Sequence, residues 1–187
     1  MNLPNAISLG RLLMLTPLFV VSVLAWRQPA AALALLVVLG ITDWLDGFIA
    51  RRFDLVTELG KRLDPLADRV SQVVVCVTLV LAGFVPLWMA IVLIVGDLVL
   101  GAAILIARPQ VVRVSRLGRL RTVLLMAGFP LLLLIEWLAP GDPVAQTIAL
   151  VVVGVGVVLH GLANVQYAWV TLREGRAGAP TVPAQRG

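Results

Sequence analysis

Apolar residues fall along this chain in six long blocks separated by short polar breaks. A helix needs about 20 mostly apolar residues to cross the hydrocarbon core of a bilayer. Stretches of that kind lie near residues 5–26, 30–50, 64–84, 87–107, 120–138 and 144–170. The breaks carry turn chemistry: Arg27-Gln28-Pro29, Gly83 to Pro86, Arg108-Pro109, and Pro140-Gly141-Asp142-Pro143. This pattern predicts an all-α polytopic membrane protein with six transmembrane helices. The first block has no basic lead and no small-residue cleavage site followed by polar sequence, so a retained helix is expected there rather than a signal peptide. From about Gly175 the chain turns to Gly, Ala and Pro with scattered arginine. That shift predicts a membrane domain over 1–174 and a disordered tail over 175–187.

The polar breaks also orient the helices. Segment 51–62 holds Arg51, Arg52, Lys61 and Arg62; segment 108–121 holds Arg108, Arg113, Arg116, Arg119 and Arg121; the tail adds Arg173, Arg176 and Arg186. The alternate connections hold only Arg27. Under the positive-inside rule this asymmetry puts both termini in the cytoplasm. Composition agrees: 60% of residues are hydrophobic, mean hydropathy is +1.03, and 13% are charged, against roughly a quarter in a soluble domain. The net charge of +5 invites a nucleic-acid reading. The arginines lie between apolar blocks without interleaved aromatics, so no nucleic-acid partner is expected. The single Cys76 rules out a disulfide framework or a cysteine metal site within this chain.

Against that background the acidic residues stand out. Of ten in the chain, Asp43, Asp46, Asp64 and Asp68 fall within 26 positions, at the cytoplasmic ends of the second and third blocks. At about 100° per residue, Asp43, Asp46, Gly47 and Ala50 share roughly a 100° arc of one helix, and Gly60, Asp64 and Asp68 share a face of the next. The short basic connection predicts that the two helices are antiparallel neighbours whose aspartate faces meet. Converging carboxylates repel unless cations join them. An all-oxygen donor set suits hard divalent ions, Mg²⁺ or Mn²⁺, and a pair of such ions suits phosphoryl chemistry. Gly47 and Ala50 keep bulk off that face, and Arg51 offers a fork for a phosphate. One Asp–Arg pair at a helix end would be an ordinary interfacial ion pair. Four aspartates in register with two glycines and an alanine call for a ligand.

The spacing Asp-x2-Asp-Gly-x2-Ala-Arg-x8-Gly-x3-Asp-x3-Asp, met here at every fixed position from Asp43 to Asp68, resembles the signature of the CDP-alcohol phosphatidyltransferase family. The opening Asn2-Leu3-Pro4-Asn5-Ala6-Ile7-Ser8 with Arg11 is similar to its bacterial members, and the likeness extends over about residues 2–170. The resemblance implies a homodimer that uses CDP-diacylglycerol as donor and two divalent cations. Asp43 and Asp64 would bridge the two ions, Asp46 would complete the first, and Asp68 would bind the second and act as general base. Asn5, Gly47, Ala50, Arg51, Thr57 and Gly60 would contact or make room for the CDP-lipid.

For the acceptor, the text around Asp43–Arg52 and Leu63–Asp68 looks like the branch that uses glycerol 3-phosphate and forms phosphatidylglycerophosphate. Leu117-Gly118-Arg119-Leu120-Arg121-Thr122 looks like that branch's Gly-Lys-x-Lys-Thr segment with arginine for both lysines. Arg119 and Arg121 are the candidates to hold the acceptor phosphate; the plainer reading gives them to topology and lipid headgroups. Many family members carry an Arg-acidic pair in the fourth span, where this chain has Gly96-Asp97. That departure leaves room for relatives whose acceptor is phosphatidylglycerol, and leaves Asp97 to find an arginine on another helix or be protonated; a structural pair is expected. The bare spacing also admits a divalent-cation transporter, against which stand the position at a helix end and the adjacent arginine. His160 is expected to be a buried, hydrogen-bonded residue, Glu136 an interface residue beside Trp137, and Asp54 and Glu58 solvated loop charges.

Overall fold

The computed structural model describes residues 3–52, 58–107 and 116–176, and every element among them is helical. In chain order these are α1 (Leu3–Gly10), a π-helical turn (Arg11–Leu15), α2 (Thr16–Leu24), α3 (Pro29–Arg52), α4 (Glu58–Leu81), α5 (Leu87–Ala107), α6 (Arg116–Leu138) and α7 (Pro143–Arg176). Each of the six apolar blocks is thus helical. Four helical stretches among the described residues are long and apolar enough to cross a membrane: Ile7–Leu24, Leu87–Ala107, Leu117–Leu138 and Pro143–Arg173; Pro29–Leu45 is a shorter apolar stretch. At 1.5 Å per residue, α5 is about 31 Å long, close to the thickness of a hydrocarbon core.

Two helices outrun their apolar blocks. The helix α4 starts at Glu58 and so takes in Gly60 and Asp64, while α7 runs on to Arg176. Hydropathy misses such polar turns, but the helix dipole favours Glu58 at an N-terminus and Arg173 and Arg176 at a C-terminus. At its other end α7 opens with Pro143 behind Asp142, whose Oδ1 accepts from Val144 N–H (2.9 Å) and Ala145 N–H (3.2 Å), a regular N-cap. Gly83, at φ +82°, ends α4 in a left-handed turn that lets Phe84 N–H donate to Leu79 O at 2.9 Å.

The polarity of the bundle is inverted relative to a water-soluble protein. Leu105, Ile106, Met14 and Leu13 are widely exposed, while Ser8, Arg11, Thr16, Ser22, His160 and Asn164 are buried. An exterior of leucine, isoleucine and valine that encloses polar side chains is stable in lipid and not in water. The five tryptophans are all exposed and gather at the two ends. Trp26, Trp88 and Trp137 lie where α2 and α6 end and α5 begins; Trp44 and Trp169 lie toward the opposite end. Indole rings favour the headgroup level, so these two sets mark two interfaces.

Packing is organised around α7, which lies against α5 and α6, while the N-terminal stretch α1–π–α2 lies against both α3 and α4. The expectation that α3 and α4 are direct neighbours is corrected here. Among the described residues they scarcely touch, because a cavity opens between them and the N-terminal helix bridges them instead. Close helix contact is set by small residues: at Gly118 on α6 a Cβ would stand 2.1 Å from the Tyr167 hydroxyl oxygen on α7. Gly118→Ala is expected to destabilise the protein by about 1–3 kcal/mol through overpacking. Adding Tyr167→Phe should return part of that loss, and thermal unfolding of the three proteins in nanodiscs checks both statements.

Candidate functional site

The N-terminal helix is wound to deliver one side chain. Pro17 has no N–H to donate, and its ring crowds the preceding turn. Ahead of it the backbone widens into the π turn, where Thr16 N–H reaches back to Arg11 O. The Thr16 hydroxyl donates to that same carbonyl at 3.1 Å and lies 3.2 Å from Ser71 Oγ on α4. The first residue of the turn, Arg11, is thereby fixed in the interior with a side chain only 4% exposed.

Its guanidinium joins the two aspartate helices. Arg11 Nη1 donates to Asp43 Oδ1 on α3, and Arg11 Nη2 donates to Asp68 Oδ1 on α4 at 2.6 Å. The two faces therefore converge, on one cationic group. This bears on whether the residues suit divalent ions: carboxylates 25 positions apart in sequence are held where positive charge must lie between them, and the donors are all oxygen. Among the described residues no third His, Cys, Asp or Glu side chain joins them. Asp46 and Asp64 lie on α3 and α4, but their side chains fall outside the described set, as do those of Asn5, Gly47, Ala50, Arg51 and Gly60; Thr57 lies outside the described residues altogether.

Between α3, α4 and α6 lies a cavity of about 340 Å³, a volume in the range of small-molecule sites. Arg11, Asp43, Asp68, Arg69 and Arg121 form its polar end. One to two turns further along the same helices, Leu36, Leu39, Val75, Leu125 and Phe129 form an apolar floor. The shape is amphipathic, with charge at the mouth and hydrocarbon inside.

Behind the polar end a buried network connects four helices. Arg69 Nη1 donates to Asp97 Oδ1, so Asp97 pairs with an arginine on another helix as expected. Asn164 Nδ2 donates to that same oxygen at 2.9 Å and lies 2.8 Å from His160 Nε2. Arg121 Nη1 donates to Asn164 Oδ1 at 2.7 Å and lies 3.2 Å from His160 Nδ1. His160 is the buried, hydrogen-bonded residue anticipated from sequence. A Cβ at Gly96 would come 3.2 Å from Asn164 Nδ2, so a side chain there would press on this network, and the cation beside Asp97 comes from α4. Asp97→Ala, which leaves Arg69 without its partner, is expected to cost about 3 kcal/mol, and the paired change Asp97→Leu with Arg69→Met less. Unfolding midpoints of the two variants, compared in one lipid, would expose a wrong order.

The two candidate acceptor arginines part company. Arg121 lines the cavity; Arg119 is exposed and does not. Two residues apart on a helix means about 200° of rotation, so they cannot share a face. Arg11, Arg69 and Asn164 were not singled out as site residues by sequence, although a carboxylate within an apolar helix, as at Asp97, is itself a signal to look for its cation. Glu136, at the far end, accepts from Gln146 Nε2 at 3.1 Å and takes no part in the site.

The sequence pattern that defines the CDP-alcohol phosphatidyltransferase family matches residues 1–160. A CDP-diacylglycerol--glycerol-3-phosphate 3-phosphatidyltransferase of Bacillus subtilis is 37% identical over 137 residues, covering 65% of this chain and 70% of that protein. A protein of Streptomyces coelicolor named cardiolipin synthase (CMP-forming) is 34% identical over 181 residues, covering 89% and 81%. A putative cardiolipin synthase of Mycobacterium tuberculosis is 34% identical over 137 residues, covering 72% and 65%. The chain belongs to the CDP-alcohol phosphatidyltransferase family.

Proposed function

We propose that this protein transfers a phosphatidyl group from CDP-diacylglycerol to glycerol 3-phosphate, releasing CMP and forming phosphatidylglycerophosphate. It does so in the inner membrane as a six-span homodimer with both termini and the site on the cytoplasmic side. The observation that carries this reading is the amphipathic cavity, in which Asp43 and Asp68 meet at a charged mouth above an apolar floor. A lipid nucleotide has the same division: a charged pyrophosphate at one end, acyl chains at the other.

The residues divide the work. Asp43, Asp46, Asp64 and Asp68 would hold two divalent cations, Mg²⁺ or Mn²⁺, which polarise the pyrophosphate and neutralise charge on the leaving CMP. Asp68 accepts the proton of the acceptor hydroxyl while that oxygen attacks the lipid-side phosphorus. The bond from that phosphorus to the CMP oxygen breaks, and CMP departs. Asn5, Gly47, Ala50, Arg51, Thr57 and Gly60 serve the nucleotide. Leu36, Leu39, Val75 and Leu125 receive the start of the acyl chains, which keeps the reacting phosphorus near the aspartates. The acceptor's own phosphate is held by Arg121 and, beside it at the cavity mouth, Arg69.

A second reading keeps the chemistry and changes the acceptor to phosphatidylglycerol. It is favoured by the apolar cavity floor and by the Streptomyces relative, whose match covers more of this chain than the Bacillus one. Purified protein in nanodiscs, given CDP-diacylglycerol and Mg²⁺, separates the two. Labelled glycerol 3-phosphate should enter the lipid fraction with stoichiometric CMP release. Label transfer from phosphatidylglycerol alone would establish the second reading, and CMP release with neither acceptor would exclude both.

A further inference from the structure

Arg11 is the least expected member of the site. The other basic residues within the apolar blocks, Arg69 and Arg121, both join the Asp97–His160–Asn164 network. Arg11 instead reaches across the cavity mouth with one nitrogen on Asp43 Oδ1 and the other on Asp68 Oδ1. Its backbone is pinned at the π turn by Thr16, which also meets Ser71 on α4. A guanidinium is a rigid planar fork with a permanent charge, so it fixes both the separation and the orientation of the two carboxylates it joins. Among the described residues α3 and α4 scarcely pack against each other, so the guanidinium supplies a link that their own packing does not.

The same oxygens are the donors a divalent ion would use. A fixed unit charge beside them repels an incoming dication, and its hydrogen bonds occupy lone pairs that the ion needs. We propose that Arg11 is a positioning residue that clamps Asp43 to Asp68 and competes with divalent cations for those two carboxylates. It lowers cation affinity while keeping the carboxylates in register for turnover. The proposal rests on the transferase reading of the site and assigns to it a residue outside the aspartate motif.

The test is Mn²⁺ titration of the full chain in nanodiscs without lipid nucleotide, with free Mn²⁺ read by electron paramagnetic resonance, alongside steady-state kinetics. Arg11→Gln should bind Mn²⁺ about tenfold more tightly, a step of about 1.4 kcal/mol. Its kcat should fall about tenfold or more, because the carboxylates lose their fixed geometry. Arg11→Lys should shift affinity in the same direction by about threefold, since an ammonium holds one carboxylate rather than two, and it serves if the glutamine variant fails to fold. Unchanged or weaker Mn²⁺ binding in the variant that folds overturns the proposal and leaves the transferase reading standing. Absence of Mn²⁺ binding by the unsubstituted chain would remove both.

Discussion

Asp43→Ala should abolish phosphatidyl transfer, lowering the rate by about a thousandfold or more, and should remove Mg²⁺-dependent nucleotide binding with it. Two losses combine. Asp43 is one of the two described carboxylates brought together at the cavity mouth, and it would supply an oxygen donor that both cations need. Cation polarisation of a phosphoryl group is worth several kcal/mol in the transition state, and each 1.4 kcal/mol is about tenfold in rate. The substitution also takes one carboxylate from Arg11, which keeps its bond to Asp68. CMP release and Mg²⁺ titration of CDP-diacylglycerol binding measure the two effects separately. A variant with activity within tenfold of the unsubstituted chain and an unchanged Mg²⁺ titration would remove Asp43 from the site. The control is Asp142→Ala at the opposite end of the bundle, where loss of the α7 N-cap costs about 1 kcal/mol of stability and leaves chemistry alone.

Helix positions were legible because hydrophobicity reports burial in lipid directly: each apolar block is helical, and the described turns fall at Gly and Pro breaks. What hydropathy cannot report is how the helices are arranged. Counting 100° steps along α3 and α4 found the faces that converge, but it carried the assumption that short connections make neighbours. The cavity between them contradicts that assumption, and the helix that closes it comes from the other end of the sequence. The π turn was equally hidden, since the local text around Pro17 permits an ordinary helix start as readily as a widened turn.

The distribution of charge along the chain carries a second signal. Twelve of the fifteen basic residues lie in connections or the tail, where they bear on orientation; Arg121 stands at the edge of the fifth apolar block, and the remaining two, Arg11 and Arg69, lie deeper within apolar blocks. Both make ion pairs, Arg11 with Asp43 and Asp68, Arg69 with Asp97. A cation inside an apolar helix is costly without a carboxylate, and the reverse is equally true, so these pairings were the signal available in advance. The partners were not, because which helix faces which is a property of packing. Arg119 and Arg121 are paired in the sequence by the likeness of their segment to a family motif, whereas helix geometry turns Arg121 to the cavity and Arg119 to the surface.

Asp68→Asn separates binding from chemistry at the same site. The amide keeps the size of the carboxylate and retains one oxygen that can accept from Arg11 Nη2, so the join between α3 and α4 is weakened rather than lost. What it cannot do is take a proton from the acceptor hydroxyl. General-base catalysis contributes about 10²–10⁴-fold, and kcat should fall within that range while CDP-diacylglycerol binding drops far less. A structural role for Asp68 predicts the opposite ordering, with stability and donor binding lost together and turnover per bound donor preserved. Single-turnover release of CMP from preloaded donor, set beside equilibrium binding of the same lipid, distinguishes the two. The position of Asp68 favours the first outcome: its side chain is 47% exposed at the cavity mouth, open to a water-soluble acceptor, while Asp43 is 28% exposed and lies further inside. Near-normal turnover in Asp68→Asn would move the base to another residue and leave Asp68 as a holder of cations alone.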